Sequence, residues 1–322
     1  MFLIIIFILT AWLFTLKIYL LFKSKTCLNN VSLIGKTVVV TGANTGIGYC
    51  AALDFAKRGA RVILACRDRE KAEIARTEIV RQTENVNVEV KIVDFARLCS
   101  VRERAKDILE NEDRLDVLVN NAGAAALLDK VTEDGFQNVM QINYFGPVLF
   151  TLLLLDLMMK SPKARIINVA SVLAKIGKID PSNLNQYARS LGTYSNSKLG
   201  NILFTMMLAE KLKATSISVF SLHPGVIRTK IFRRLTMQNW SKTLFNFAAY
   251  FTFKTPLQGS QTIIFTATEQ NIENLSGRHF EECGVVTSYT SATNRKLAED
   301  LWDETLKLLK INENKLFIDG VN

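Results

Sequence analysis

The sequence predicts an α/β fold, a single doubly wound parallel sheet with helices on both faces, preceded by one apolar helix at the N-terminus. Three observations predict it. Short apolar runs of β type alternate with helical patterns from residue 36 onward, a glycine-rich turn follows the first run, and residues 1–22 are apolar except for Thr10, Thr15 and Lys17. Alternation of this kind implies parallel strands joined by crossover helices, because both faces of such a sheet must be covered.

Length and composition bound the reading. A chain of 322 residues suits one large domain with an appendage, and 48% hydrophobic residues supply a core and exclude disorder as the main state. Cys27, Cys50, Cys66, Cys99 and Cys283 are odd in number and contain no CxxC pair, so reduced surroundings are expected rather than a disulfide framework. His223 and His279 are the only histidines, neither at metal-ligand spacing, and no metal is expected. Of the net charge of +10, three positives lie in residues 1–27 and none of the acids does. The remaining basic balance has no Arg/Lys stripe of the kind nucleic acid requires, so no nucleic-acid partner is expected.

A helix over Met1–Phe22, at about 1.5 Å per residue, matches the ~30 Å hydrocarbon core of a bilayer. Lys17, Lys23 and Lys25 follow the apolar block, with no positive region before it and no small-residue cleavage site after it. An uncleaved signal anchor is the reading, with a cleaved signal peptide as the alternative. The positive flank would hold the rest of the chain on the cytosolic side, most naturally at the endoplasmic reticulum. Residues 23–35 then read as a basic linker, 36–312 as the catalytic-size domain and 313–322 as a tail.

Within the domain, Thr37–Val40, Arg61–Ala65, Val88–Val93, Asp116–Val119, Arg165–Val169 and Ile217–Leu222 read as buried strands. Helices are expected near 46–58, 69–83, 98–111, 134–160 and 194–213. Residues 233–254 break the rhythm with Trp240, Phe245, Phe247, Tyr250, Phe251 and Phe253 among Arg233, Arg234, Lys242 and Lys254. This segment reads as a lid or interfacial helix, with an ordinary core helix as the alternative.

Thr41-Gly42-Ala43-Asn44-Thr45-Gly46-Ile47-Gly48 follows the first strand and opens a helix. Its glycines allow positive φ and close approach, so a pyrophosphate can sit on free N–H groups at a helix N-terminus, as in Rossmann-type domains. The second strand ends Leu64-Ala65-Cys66-Arg67, with a cation where an NAD site places an acid. Arg67 would bond a 2′-phosphate, giving NADP(H) preference over NAD(H), unless it pairs with Asp68 or Glu70.

Tyr194 and Lys198 lie four apart, on one face of the predicted helix, and Ser171 follows a strand whose C-terminal end faces the expected cofactor cleft. A nearby ammonium would favour phenolate and lower the Tyr194 pKa.

With these residues the chain resembles the short-chain dehydrogenase/reductase family. The resemblance covers about 35–310 and is carried by TGANTGIG at 41–48, Asp94, Asn120-Asn121-Ala122-Gly123, Asn143, Ser171, Tyr194 with Lys198, and Pro224-Gly225. Within the family, LACRD at 64–68, SKLGNILF at 197–204, HPG at 223–225, KTPLQGSQT at 254–262 and LW at 301–302 look most like the membrane-anchored, NADP(H)-linked retinol dehydrogenases.

The resemblance implies that Tyr194 is the proton donor, that Lys198 bonds the nicotinamide ribose, that Ser171 holds the substrate oxygen and that Asn143 supports a water relay. It further implies that Gly42, Asn44, Thr45, Gly46, Ile47 and Gly48 cradle the cofactor. Asp94 would meet the adenine, Asn120, Asn121, Ala122 and Gly123 the ribose side, and Pro224, Gly225 and Thr229 the nicotinamide end. Tyr144-Phe145-Gly146-Pro147, Ala124-Ala125-Ala126, Val226 and Phe95 depart from the retinol dehydrogenase pattern and predict a reshaped substrate cleft. The expected activity interconverts a lipophilic alcohol and its aldehyde or ketone, of retinol type or on another lipophilic carbonyl such as a steroid, a lipid-peroxidation aldehyde or an isoprenoid. Membrane lipid is an expected partner and a homodimer is allowed. The rival from another class is a non-catalytic NADPH-binding membrane protein.

Overall fold

A computed structural model describes residues 24–125, 129–185, 187–227 and 253–316, with Trp12, Thr15 and Ile18. The rest of the expected anchor segment, Thr229, Ala126 and nearly all of 233–254 lie outside the described residues. Among the described residues no helix is long and apolar enough to cross a membrane.

Among the described residues, eight strands form one sheet in the order β3-β2-β1-β4-β5-β6-β7-β8. The six expected strands are β1 (Thr37–Thr41), β2 (Arg61–Cys66), β3 (Val88–Ile92), β4 (Val117–Asn120), β5 (Ala164–Val169) and β6 (Ile217–His223), all parallel. Strand order reverses beside β1, which opens a crevice at the C-terminal ends of β1 and β4. The sheet is not wholly parallel, as the sequence reading has it. β7 (His279–Glu281) continues the parallel set, but β8 (Gly284–Val286) runs antiparallel to it. Glu282 and Cys283, at φ 49° and 55°, form the two-residue hairpin turn that twisted strands favour. Strands of three residues carry no periodic signal.

Alternate strand residues feed two cores. Val39, Ile63, Leu118, Ile166 and Val219 face one side, while Val38, Val62, Val119, Ile167 and Phe220 face the other. The second side is covered by α1 (Gly46–Lys57), α2 (Arg69–Thr83) and, later in the chain, Pro256–Thr268. The first side holds α3 (Leu98–Asn111), then a broken helical run, then the long Arg189–Lys211 helix.

That broken run replaces the single helix expected at 134–160. A turn at Asn138–Met140 leads into a π-helical stretch, Gln141–Phe145, then α4 (Gly146–Leu153) and α5 (Leu155–Met159). Pro147 has no N–H to offer the Asn143 carbonyl four residues earlier, and the helix widens at that point. α6 (Arg189–Lys211) begins five residues before its predicted start. The helices α7 (Pro256–Thr268) and α8 (Arg295–Leu309) are absent from the sequence reading, although Thr255 and Gln258 form a capping box with Pro256 at the first helical position.

α8 covers the outer side of α6. Trp302 stacks on Phe204 with ring centroids 5.8 Å apart, and the Tyr144 and Thr305 hydroxyls meet at 2.9 Å. Tyr144 is therefore core, and so is Phe95, edge-on to Phe150 at 5.7 Å. A Cβ on Gly146 would come within 2.9 Å of Phe95 Cδ1. Four of the departures expected to reshape the cleft, at 95 and 144–146, instead accommodate one another inside the domain. Part of the predicted linker is also packed into the body. Leu33 is buried, Cys27 donates its N–H to Gln261 Oε1 at 3.0 Å, and Arg58 donates to the carbonyls of Asn29 (2.9 Å) and Val31 (3.1 Å).

Candidate active site

The glycine turn and the exit of β4 are stitched together at the crevice. Gly42 and Gly46 both sit at φ +65°, open only to glycine at little cost. Thr41 Oγ1 accepts the N–H groups of Asn121 (2.9 Å) and Ala122 (2.8 Å), while Asn121 Nδ2 donates to the Thr41 carbonyl at 2.8 Å. Asn121, expected along the ribose side with its neighbours, holds the glycine turn with its side chain, a contact that only the crossing of two loops reveals. Thr45 is the N-cap of α1 and makes no side-chain capping bond, which leaves the first-turn N–H groups to an anion. Beneath the turn lies the Cys66 thiol, which accepts from the N–H groups of Ala43 and Asn44 and is pushed up to about 11 by burial. Ile47 lies over Gly259, at the start of α7.

Arg67 is exposed at the end of β2 and makes no salt bridge among the described residues. Asp68, one of its expected rivals, accepts the Lys71 N–H at 3.1 Å as the N-cap of α2 and pairs with the Lys71 ammonium instead. Asp94 is half-buried, its Oδ1 accepting from Ala96 N–H at 3.0 Å and its own N–H bonded to Ser100 Oγ at 3.0 Å.

Asn120 departs from its expected place. Its side chain turns away from the crevice and donates to Thr151 Oγ1 (2.7 Å) and Asn168 Oδ1 (2.9 Å), within a buried ladder that continues from Asn168 to Thr205. A side chain committed to this ladder cannot line a ribose, and Ala122 and Gly123 stand at the crevice instead.

Ser171, Tyr194, Lys198 and Asn143 converge. Ser171 caps the 3-10 turn Val172–Ile176 just beyond β5, and its hydroxyl accepts the Leu173 N–H at 3.3 Å and lies close enough to the Tyr194 phenol to favour its ionised form. One helical turn on, Lys198 is buried, with Nζ 5.8 Å from the Tyr194 ring centroid and donating to the Val169 carbonyl at 2.8 Å. A Cβ on Gly123 would lie 3.5 Å from both Lys198 Nζ and Asn143 Oδ1. The Asn143 amide is held by both backbone groups of Ala124, at 2.7 and 2.9 Å, and by Ser197 Oγ at 3.0 Å.

Burial governs the titration of this group. It lowers Lys198 to about 8, and it raises the Tyr194 phenol despite the Ser171 hydroxyl that acts the other way. Burial, not the ammonium, thus sets the direction of the Tyr194 shift, contrary to the expected lowering. The cluster can pass a proton from a buried phenol to an oxygen bound at Ser171.

Gly225, at φ +90°, closes the far side beneath the Lys254 side chain, next to Pro224. Ile227 and Lys254 pair in a parallel bridge, with Lys254 N–H on the Val226 carbonyl at 2.8 Å.

The family model of short chain dehydrogenases matches residues 36–240. The chain belongs to the short-chain dehydrogenase family. Among curated members, human Retinol dehydrogenase 11 is 41% identical over 89% of this chain and 90% of its own length. Mouse Retinol dehydrogenase 13 is 40% identical over 88% and 86%. A solved protein from Mycobacterium Paratuberculosis superposes with a TM-score of 0.72 at 29% identity, over 90% of this chain and 98% of that one. A short chain dehydrogenase from Escherichia coli CFT073, solved with NADPH, does so with a TM-score of 0.63 at 25% identity, over 79% and 99%. As a short-chain dehydrogenase the protein is an oxidoreductase of alcohols and carbonyls served by a nicotinamide cofactor, and the glycine turn fits such a group through its positive-φ residues and uncapped helix end. Among the described residues no cluster could hold a metal ion.

Proposed function

We propose that the protein is an NADP(H)-dependent oxidoreductase interconverting a lipophilic alcohol and its carbonyl, of retinol and retinal type. The observation that carries this is the approach of the Ser171 hydroxyl to the Tyr194 phenol with buried Lys198 one turn away, opposite the glycine turn. Gly42, Asn44, Thr45, Gly46, Ile47 and Gly48 hold the pyrophosphate, Arg67 the 2′-phosphate, and Asp94 the adenine. Ala122, Gly123, Lys198, Pro224, Gly225 and Thr229 hold the ribose and nicotinamide. When bound, the nicotinamide supplies or takes up hydride at the substrate carbon.

In reduction, Tyr194 gives its proton to the carbonyl oxygen that the Ser171 hydroxyl holds, and the alcohol leaves. A phenol kept protonated by burial suits that direction. Lys198 and the Asn143 carbonyl, which Pro147 cannot engage, return the proton through water. Residues 1–22 anchor the protein in the endoplasmic reticulum membrane with the domain on the cytosolic side. Residues 233–254 form an aromatic lid that takes substrate from the bilayer.

The reading is tested with retinal and NADPH. Tyr194→Phe should abolish turnover while NADPH still binds, and unchanged turnover would sink it. A second reading, reduction of another lipophilic carbonyl, is favoured by small Ala124 and Ala125 beside Gly123. Competition among retinal, a steroid ketone and a medium-chain aldehyde, each with NADPH and NADH, separates the two.

A further inference from the structure

The backbone ladder between β5 and β6 ends just before the reacting group. Its last rung is the Ala170 N–H on the Leu222 carbonyl, at 2.8 Å. Beyond it β6 turns away at Pro224–Gly225, and Pro224 offers no N–H. The next donor on the Ser171 side, the Val172 N–H, is taken by a side chain, His223 Nδ1, at 3.1 Å. An imidazole nitrogen thus supplies the acceptor for that donor where the backbone ladder has ended.

We propose that His223 is a positioning residue for the reaction: its Nδ1 holds the Val172 N–H and thereby fixes the Ser171 hydroxyl against Tyr194. The inference rests on the proposed role of Ser171. Three features support it. Val172 N–H is the first orphan donor of the 3-10 turn that Ser171 caps, so its partner sets the direction in which Ser171 enters that turn. The opposite side of the same turn is already pinned. Lys178 N–H donates to Asn196 Oδ1 at 2.7 Å, and a Cβ on Gly177 would lie 2.8 Å from the Ser195 carbonyl, both on the helix that carries Tyr194. With α6 gripping one side, His223 is the grip on the other. Finally, burial lowers His223 to about 4, so Nδ1 keeps the lone pair that accepts this bond and Nε2 carries the proton.

The same residue joins two halves of the site. It precedes the Pro224–Gly225 turn, so a shift of that turn moves the Ser171 hydroxyl with it. Displacement of a positioned group by about an ångström costs on the order of 100-fold in rate.

The test uses the full-length protein in detergent, with a medium-chain aldehyde and NADPH, and compares His223→Asn, His223→Gln and His223→Leu, with Ser171→Ala as reference. Asn places its oxygen where Nδ1 stands, while Gln carries it one bond further. His223→Leu should lose about 10- to 100-fold in kcat with the NADPH KM within about twofold. His223→Asn should recover most of that loss and His223→Gln little of it. If His223→Leu does not fold, the comparison of the two amides decides. Equal kcat for the two amides, or a loss confined to KM, overturns the positioning role while a dead Ser171→Ala upholds the site. Full turnover by Ser171→Ala overturns both.

Discussion

Asn121 Nδ2 occupies the space that the Cβ of any other residue at Gly48 would need, and its bond to the Thr41 carbonyl, at 2.8 Å, holds it there. The same Cβ would stand 2.7 Å from the Gly42 carbonyl. Gly48 is therefore required by the approach of a neighbouring loop and not by its own backbone angle, since it is not among the residues of positive φ. Gly48→Ala should push Asn121 off the turn and raise the NADPH KM by about tenfold or more, a loss of about 1.4 kcal/mol in binding. A steady-state titration with NADPH checks this, and an unchanged KM would contradict the packing.

Among the described residues Arg67 has no salt bridge to give up when a phosphate arrives. A charge-assisted bond of about 1.5–3 kcal/mol corresponds to roughly 10- to 100-fold in affinity. Arg67→Ala should weaken NADPH by that factor and leave NADH unchanged. Equal losses for the two cofactors would remove Arg67 from the 2′-phosphate.

Tyr144 is fully buried, and its hydroxyl meets Thr305 Oγ1 at 2.9 Å. Tyr144→Phe strands a hydroxyl in the core, at a cost of about 1 kcal/mol. Thermal melting should fall by about 2–4 °C, with the substrate KM unaltered. A changed KM with unchanged melting would return this residue to the cleft.

His223 and His279 are each lowered by burial to about 4, against about 6.5 in an unfolded chain. Between those values the unfolded chain binds more protons, so stability rises with pH. The contribution is complete above pH 6.5 and lost as pH falls toward 4, on the order of 3 kcal/mol per histidine. Melting followed from pH 7.5 to 5 should show the decline, and His279→Gln should make it shallower. A flat profile in the parent protein contradicts this.

Much of the fold was legible because its signals are local. Six strands fall within about a residue of expectation since a buried parallel strand is a short apolar run bounded by turns. The Tyr194–Lys198 spacing likewise needs only a helix to place both on one face. Less visible was the break at Asn143, which Pro147 signals but a continuous apolar pattern hides. α7 also carried a legible capping box, yet it follows the aromatic-rich stretch of sequence at 233–254 and lies outside the strand–helix alternation.

What the sequence by itself determined is the set of chemical groups and their order: a glycine turn after the first strand, a cation after the second, Ser171 past the fifth, and Tyr194 with Lys198 on one helix. The tertiary structure alone decided which of these face the crevice. Asn120 turned inward to Asn168, Phe95 and Tyr144 closed into the core, and His223 reached back to Val172. Each of those contacts joins residues dozens of positions apart, through sheet register and helix packing that no local pattern encodes. Burial followed from the same packing. It raised the Tyr194 phenol and lowered Lys198, and so set the protonation states in which the named groups meet.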